Sequence, residues 1–191
     1  MRFIETKFKG VTLIEPDVHE DRRGLFVELY HARKYAKGGI AGPFVQDNFS
    51  RSVRGTLRGL HYQLTRPQGK LVSVVEGAIF DVSVDIRLGS PTFGQWLGIE
   101  LSVANKRQVY IPPGFAHGFC VVSDTAGVVY KCTDLYSPEG ERGIIWNDPA
   151  IGVAWPVSNP LLSSKDQAYK SLSESKADLP VYREQPSGYV G

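Results

Sequence analysis

Among the 191 residues, His61 has the most suggestive surroundings. It lies in Val53-Arg54-Gly55-Thr56-Leu57-Arg58-Gly59-Leu60-His61-Tyr62-Gln63, where two glycines let the backbone bend as a strand begins and the polar side chains Arg58, His61 and Gln63 cluster. A neutral imidazole with a pKa near its ordinary value of about 6.5 accepts a proton at cellular pH, which makes His61 a candidate general base. A hydrogen-bonded core histidine is the alternative, and this motif leaves both readings open. His117 follows a tight turn in Ile111-Pro112-Pro113-Gly114-Phe115-Ala116-His117-Gly118-Phe119, which delivers it to the next strand. His19 and His31 have no companion motif and read as surface residues.

The turn before His117 reads PxGxxH, a cupin-like signature. Metal-dependent cupins add an HxH pair and a glutamate to that histidine, an imidazole and carboxylate shell suited to first-row metals. Here the earlier motif is His61-Tyr62-Gln63, and no glutamate follows before Glu76. Two ligands are too few for a tight site, so no metal is expected. Cys120 and Cys132 form no CxxC pair and read as reduced core thiols.

The elements that must position these side chains read as short strands. Gly, Pro and Ser punctuation recurs every eight to twelve residues, from Arg23-Gly24 to Pro138-Glu139-Gly140. Between these marks lie runs of β character: Val72–Val75, Ala78–Ile86, Trp96–Val103, Gln108–Ile111, Phe119–Val122 and Val128–Thr133. In Ile79–Ile86 the even positions are apolar while Asp81, Ser83 and Asp85 share the other face, so one face of that strand meets something polar. Short helices are expected over residues 31 to 37 and, behind a serine cap, over 164 to 176. The segment from about 180 to 191 reads as an extended or mobile tail of a single domain covering residues 1 to 191.

With 22 Lys+Arg against 20 Asp+Glu, the chain has no cationic excess for a polyphosphate backbone, so nucleic acid is an unexpected partner. Charges interrupt every apolar run in residues 1 to 15, leaving no signal segment and no membrane span there. A cytoplasmic protein is expected.

RGLHYQ at 58 to 63, QGKLV at 68 to 72, FDVSVDIR at 80 to 87, SPTFGQW at 90 to 96 and IPPGFAHGF at 111 to 119 occur as an ordered set. YKCTDLYSPEGERGIIWNDPAIGVAWP at 130 to 156 and LSSKD at 162 to 166 continue it. This set, spanning most of residues 1 to 182, resembles the dTDP-4-dehydrorhamnose 3,5-epimerase family. The resemblance implies an all-β cupin jelly-roll barrel with short peripheral helices, usually dimeric, that converts dTDP-4-keto-6-deoxy-D-glucose to dTDP-4-keto-L-rhamnose without a cofactor.

The same resemblance assigns roles. His61 matches the base, Tyr130 the proton donor, Lys70 the cation that holds the enolate oxygen, and Asp166 the carboxylate that orients the histidine. Arg23, Phe26, Glu28, Gln46, Asn48, Arg58, Gln63 and His117 match substrate contacts, with Arg23 and Arg58 suited to diphosphate. Tyr136 resembles the residue that stacks on thymine, Glu141 a nucleoside contact, and Lys165 a position usually basic. Packing or solvation competes with the functional reading at Tyr130, Glu141 and Lys165. Asp81 either supports Lys70 or satisfies its own strand.

If Phe119–Val122 and Val128–Thr133 form a hairpin, bringing His117 and Tyr130 to one face requires a register such as Val121 opposite Tyr130. Cys120 then faces away from Cys132, and no disulfide is expected. Competing functions are a relative that epimerises one centre only, a metal-dependent oxygenase and a non-catalytic sugar-nucleotide sensor.

Overall fold

Alternation of apolar and polar residues requires strands with two distinct faces, and in the computed structural model, which describes residues 1–183, these strands build two facing antiparallel sheets. The chain runs β1 (Arg2–Glu5), β2 (Thr12–Glu15), β3 (Val18–Asp21), β4 (Gly24–Val27), α1 (Ala32–Lys37), β5 (Gln46–Val53), β6 (Leu57–Gln63) and β7 (Lys70–Glu76). It continues through β8 (Ala78–Asp85), β9 (Trp96–Ser102), β10 (Gln108–Ile111), β11 (Phe115–Val121), β12 (Thr125–Cys132), β13 (Glu141–Gly143) and α2 (Ser164–Gln167). One sheet has the order β1-β2-β10-β7-β12-β5 and the other β13-β6-β11-β8-β9; β3 and β4 form a separate hairpin. This is a jelly roll of the cupin type.

Between the sheets, Val72, Val74, Ile79, Phe115, Phe119, Val121 and Val128 close an apolar core. The outer face of the five-stranded sheet is covered as well, by Ile144, Ile151, Leu172 and Leu179 from the C-terminal region packing on Leu60, Val82, Val84 and Ile86. Tyr35 of α1 seals part of the outer face of the six-stranded sheet against Ile14, Leu71 and Tyr110. Strand β8 is therefore buried on both sides, and its polar face points into the barrel. There Asp85, with no exposed surface, accepts hydrogen bonds from Arg87, Ser90 and Thr92. Burial alone would raise the Asp85 pKa, yet those donors hold the carboxyl below its ordinary range.

Two expectations need correction. Strands β11 and β12 form no hairpin: β11 pairs with β6 and β8, and β12 with β5 and β7, so they lie in opposite sheets. Cys120 and Cys132 are unbonded, as expected, but the reason is this separation between sheets. The helix expected over 164 to 176 stops at Gln167, because Lys170 is drawn into a bridge with Ile144 and its carbonyl accepts from the Ile145 amide. Of the expected tail, residues 180 to 182 are extended and docked along Leu88, with Arg87 stacked on Tyr182; residues 184–191 lie outside the described range.

A bulge in β6 aims the candidate base. Phe119 of β11 stands opposite Arg58 and His117 opposite His61, so two steps on β11 match three on β6. The extra residue brings Arg58 and His61 to the same inner face, which unbroken alternation forbids. Gly59 makes this possible, with φ at +131° and its α-carbon so near β11 that an added Cβ would lie 2.5 Å from the Gly118 α-carbon. Gly59→Ala is expected to cost on the order of 2–4 kcal/mol from the clash and the backbone strain. A urea midpoint equal to that of the wild type would show that the bulge tolerates a side chain.

Candidate active site

At one end of the barrel the inner faces of both sheets contribute polar side chains to a cavity of about 190 Å³. The six-stranded sheet supplies two rungs. Tyr130 of β12 stands between Asn48 of β5 and Val72 of β7, and Cys132 between Gln46 and Lys70. The five-stranded sheet supplies His61 and Gln63 of β6 and Glu141 of β13, which is paired with Gln63. Gln68 and Tyr136 close the sides from loops. His61 thus faces Tyr130 and Lys70 from the opposite sheet. A wider groove of about 590 Å³ beside Phe93–Gly98 has Lys7 as its one ionisable lining residue and therefore offers no acid–base pair.

His61 Nε2 lies 2.5 Å from Asp166 Oδ1. The contact is set by folding of the C-terminal region: Leu161 bonds through its backbone to Gly55 and Leu57 at the start of β6, and Ser163 caps α2 by accepting from the Asp166 amide. A carboxylate partner fixes the proton on Nε2 of a neutral imidazole and leaves the Nδ1 lone pair free to act as base. Burial pushes the His61 pKa down, Asp166 works against that, and Lys70 and Lys165 reinforce the burial. Burial by itself would raise the Asp166 pKa, but the His61 contact and nearby Lys165 hold it below the ordinary value.

Lys70 has no hydrogen-bond or ion-pair partner among the described residues. Burial lowers its pKa, opposed by the neighbouring Cys132, Asp81 and Glu141. Burial raises the pKa of Tyr130, with Arg58 acting in the other direction, so its phenol stays protonated at neutral pH. The site therefore offers an unprotonated base on one wall, with a cation and a neutral proton donor on the other. At the mouth, Glu141 accepts from the Tyr136 hydroxyl at 2.7 Å and from Lys165 at 2.5 Å, locking three of the expected nucleoside contacts into one group.

Other expected contacts sit elsewhere. His117 is buried inside the barrel, outside the cavity lining, and bonds Asp81 Oδ2 through Nε2 at 2.8 Å, so Asp81 directly supports His117. Arg58 lies outside the cavity lining, its Nε donating to Ser52. Arg23 and Phe26 stand on the β3–β4 hairpin around a separate hollow, with Arg23 paired to Asp21, and Glu28 pairs with Lys34. Reading the sequence missed Gln68, held by the Asp134 carbonyl, and Tyr169, whose ring lies against His61. His61 and His117 are cross-strand neighbours, but each spends Nε2 on a carboxylate, and no three metal-ligating side chains converge among the described residues. The residues present do not fit a cupin metal.

The barrel and its two-walled acid–base cavity define a cupin-type protein equipped for proton transfer. Residues 5–174 match the family described as dTDP-4-dehydrorhamnose 3,5-epimerase. A curated member from Methanothermobacter thermautotrophicus is 50% identical over 184 residues, covering 95% of this chain and 97% of the relative. The crystal structure of a dTDP-6-deoxy-D-glucose-3,5-epimerase from Legionella pneumophila in complex with dTDP-4-keto-L-rhamnose superposes with a TM-score of 0.93 at 53% identity, covering 96% of this chain and 99% of that one. A dTDP-4-dehydrorhamnose 3-epimerase from Streptomyces niveus is 41% identical over 187 residues, covering 95% of this chain and 90% of the relative. The chain belongs to the dTDP-4-dehydrorhamnose 3,5-epimerase family.

Proposed function

We propose that this protein epimerises C3 and C5 of dTDP-4-keto-6-deoxy-D-glucose, giving dTDP-4-keto-L-rhamnose. The observation that carries the reading is the division of labour across the cavity: the His61–Asp166 dyad on one sheet, Tyr130 and Lys70 on the other. The C4 ketone acidifies the hydrogens on both neighbouring carbons. His61 Nδ1 takes one of them, the C–H electron pair becomes the C=C bond of an enolate, and the carbonyl pair moves onto the oxygen beside Lys70. Tyr130 returns a proton from the opposite face, and solvent exchange restores both groups before the second carbon reacts. The ketone already in the substrate supplies the acidity, so the reaction needs no cofactor.

In the same proposal Tyr136, Glu141 and Lys165 hold the nucleoside at the mouth, and Gln46, Asn48 and Gln63 hold the sugar. Arg23, Phe26 and Glu28 join the site in a homodimer that seats the hairpin of one subunit over the cleft of the other. The 68% exposure of Phe26, and the exposed Phe49, Val53 and Val75, support such a partner. Arg58 contributes to the diphosphate site, and His117 to the inner wall. No described helix is long and apolar enough to cross a membrane. In this proposal the protein is a single-domain enzyme of the cytoplasm.

The test is incubation with dTDP-4-keto-6-deoxy-D-glucose in deuterium oxide, followed by NMR. Label at C3 and C5 with formation of the L-configured product is expected. Label at one carbon alone would instead give the single-centre activity, a reading raised by the 41% identity to the Streptomyces niveus 3-epimerase. No label at either carbon would overturn both.

A further inference from the structure

Tyr169 lies against the imidazole of the dyad, and nothing in the proton-transfer scheme uses it. Its ring meets the His61 imidazole edge-on, with centroids 5.7 Å apart and planes at 69°. The ring lies so close over Gly143 that a Cβ there would overlap it, and Gly143 is the cross-strand neighbour of His61 on β13. The segment carrying Tyr169 is anchored on both sides. Asp166 holds His61 three residues earlier, and one residue later Lys170 bridges to Ile144. Its hydroxyl is buried with no hydrogen-bond partner, as is that of Tyr62, although an unsatisfied buried hydroxyl carries a penalty of roughly 1–3 kcal/mol. The penalty attaches to the hydroxyl alone, so what the residue contributes through its contact with His61 comes from the ring.

We propose that Tyr169 is a positioning residue for the His61–Asp166 dyad, its ring keeping water off the imidazole and fixing the plane in which Nδ1 meets the substrate. The inference rests on the reading of His61 as base. Other groups around the imidazole are Asp166 and Lys165 from α2, Lys70 from β7, Glu141 from β13, Tyr130 from β12, Tyr136 from its loop and His117 from β11. Within this set the ring of Tyr169 provides apolar edge contact rather than charge. Burial is the leading influence that lowers the His61 pKa, so removing this cover lets water stabilise the imidazolium.

NMR titration of the His61 imidazole in the full chain tests this without substrate, comparing wild type with Tyr169→Phe and Tyr169→Ala. Tyr169→Phe is expected to keep the wild-type midpoint. Tyr169→Ala is expected to titrate at higher pH, toward the ordinary histidine value, with kcat down roughly tenfold and KM little changed. Tyr169→Val, a milder truncation, carries the same test with a smaller upward shift if the alanine variant does not fold. An unchanged midpoint in a folded truncation overturns the inference. Failure of the base reading looks different: His61→Ala would then exchange substrate protons normally, whatever Tyr169 does to the titration.

Discussion

Replacing His61 by alanine is expected to leave a folded barrel that exchanges the C3 and C5 hydrogens at about a thousandth of the wild-type rate or less. Both abstractions depend on one lone pair, so the two positions should fail together. Asp166 is only 3% exposed and would lose its partner, which adds a stability cost. His61→Asn separates these effects, because its amide can still donate to Asp166 but has no basic nitrogen. Exchange followed by NMR should vanish in both variants, while the asparagine variant recovers part of the lost stability. Proton exchange at the wild-type rate in either would remove His61 from the mechanism. In the wild type, kcat/KM should rise with pH as the imidazole loses its proton. Burial places that midpoint below the ordinary histidine value.

Lys70→Met keeps the length of the side chain and removes its charge. The enolate oxygen becomes negative only as the proton leaves, so the ammonium acts mainly on the transition state, and kcat should fall about 10²–10³-fold with a smaller change in KM. The alkaline side of the pH profile should change as well. Burial lowers the Lys70 pKa and raises that of Tyr130, so loss of the ammonium charge moves to lower pH while the phenol holds its proton to higher pH. The part of the alkaline limb set by the ammonium should disappear in the methionine variant. A variant with wild-type kcat would show that another group carries the enolate charge.

What the sequence disclosed followed the strength of its local signals. Strands β7 to β10 were legible because their runs are rich in Val, Ile and aromatic residues and bounded by Gly and Pro. The first five strands were not, because charges interrupt the pattern: Arg2 and Glu15 pair with each other across β1 and β2, so the charges that mask these strands also join them. The pairing of β11 went astray because a short connection to β12 suggests a hairpin, whereas β10, β11 and β12 alternate between the two sheets. His61 was a candidate base from its own motif, while Lys70, Tyr130 and Asp166 were found through the family resemblance. Their convergence could not be read from spacing, since 105 residues separate His61 from Asp166. Tyr169 escaped because its importance arises from the early end of α2, which the sequence extended to residue 176.

Placing His61 and Tyr130, the proposed proton acceptor and donor, on separate sheets has a mechanical consequence. Within a sheet, hydrogen-bonded ladders fix the spacing of side chains; across the layer, only the bulk of packed side chains does. A hexose ring reached from both faces must fit that spacing, so the reach from His61 to Tyr130 is gauged by Val72, Val128 and Phe119 in the interior. The apolar core of this barrel is the ruler against which stereochemistry is measured, although none of its atoms handles a proton.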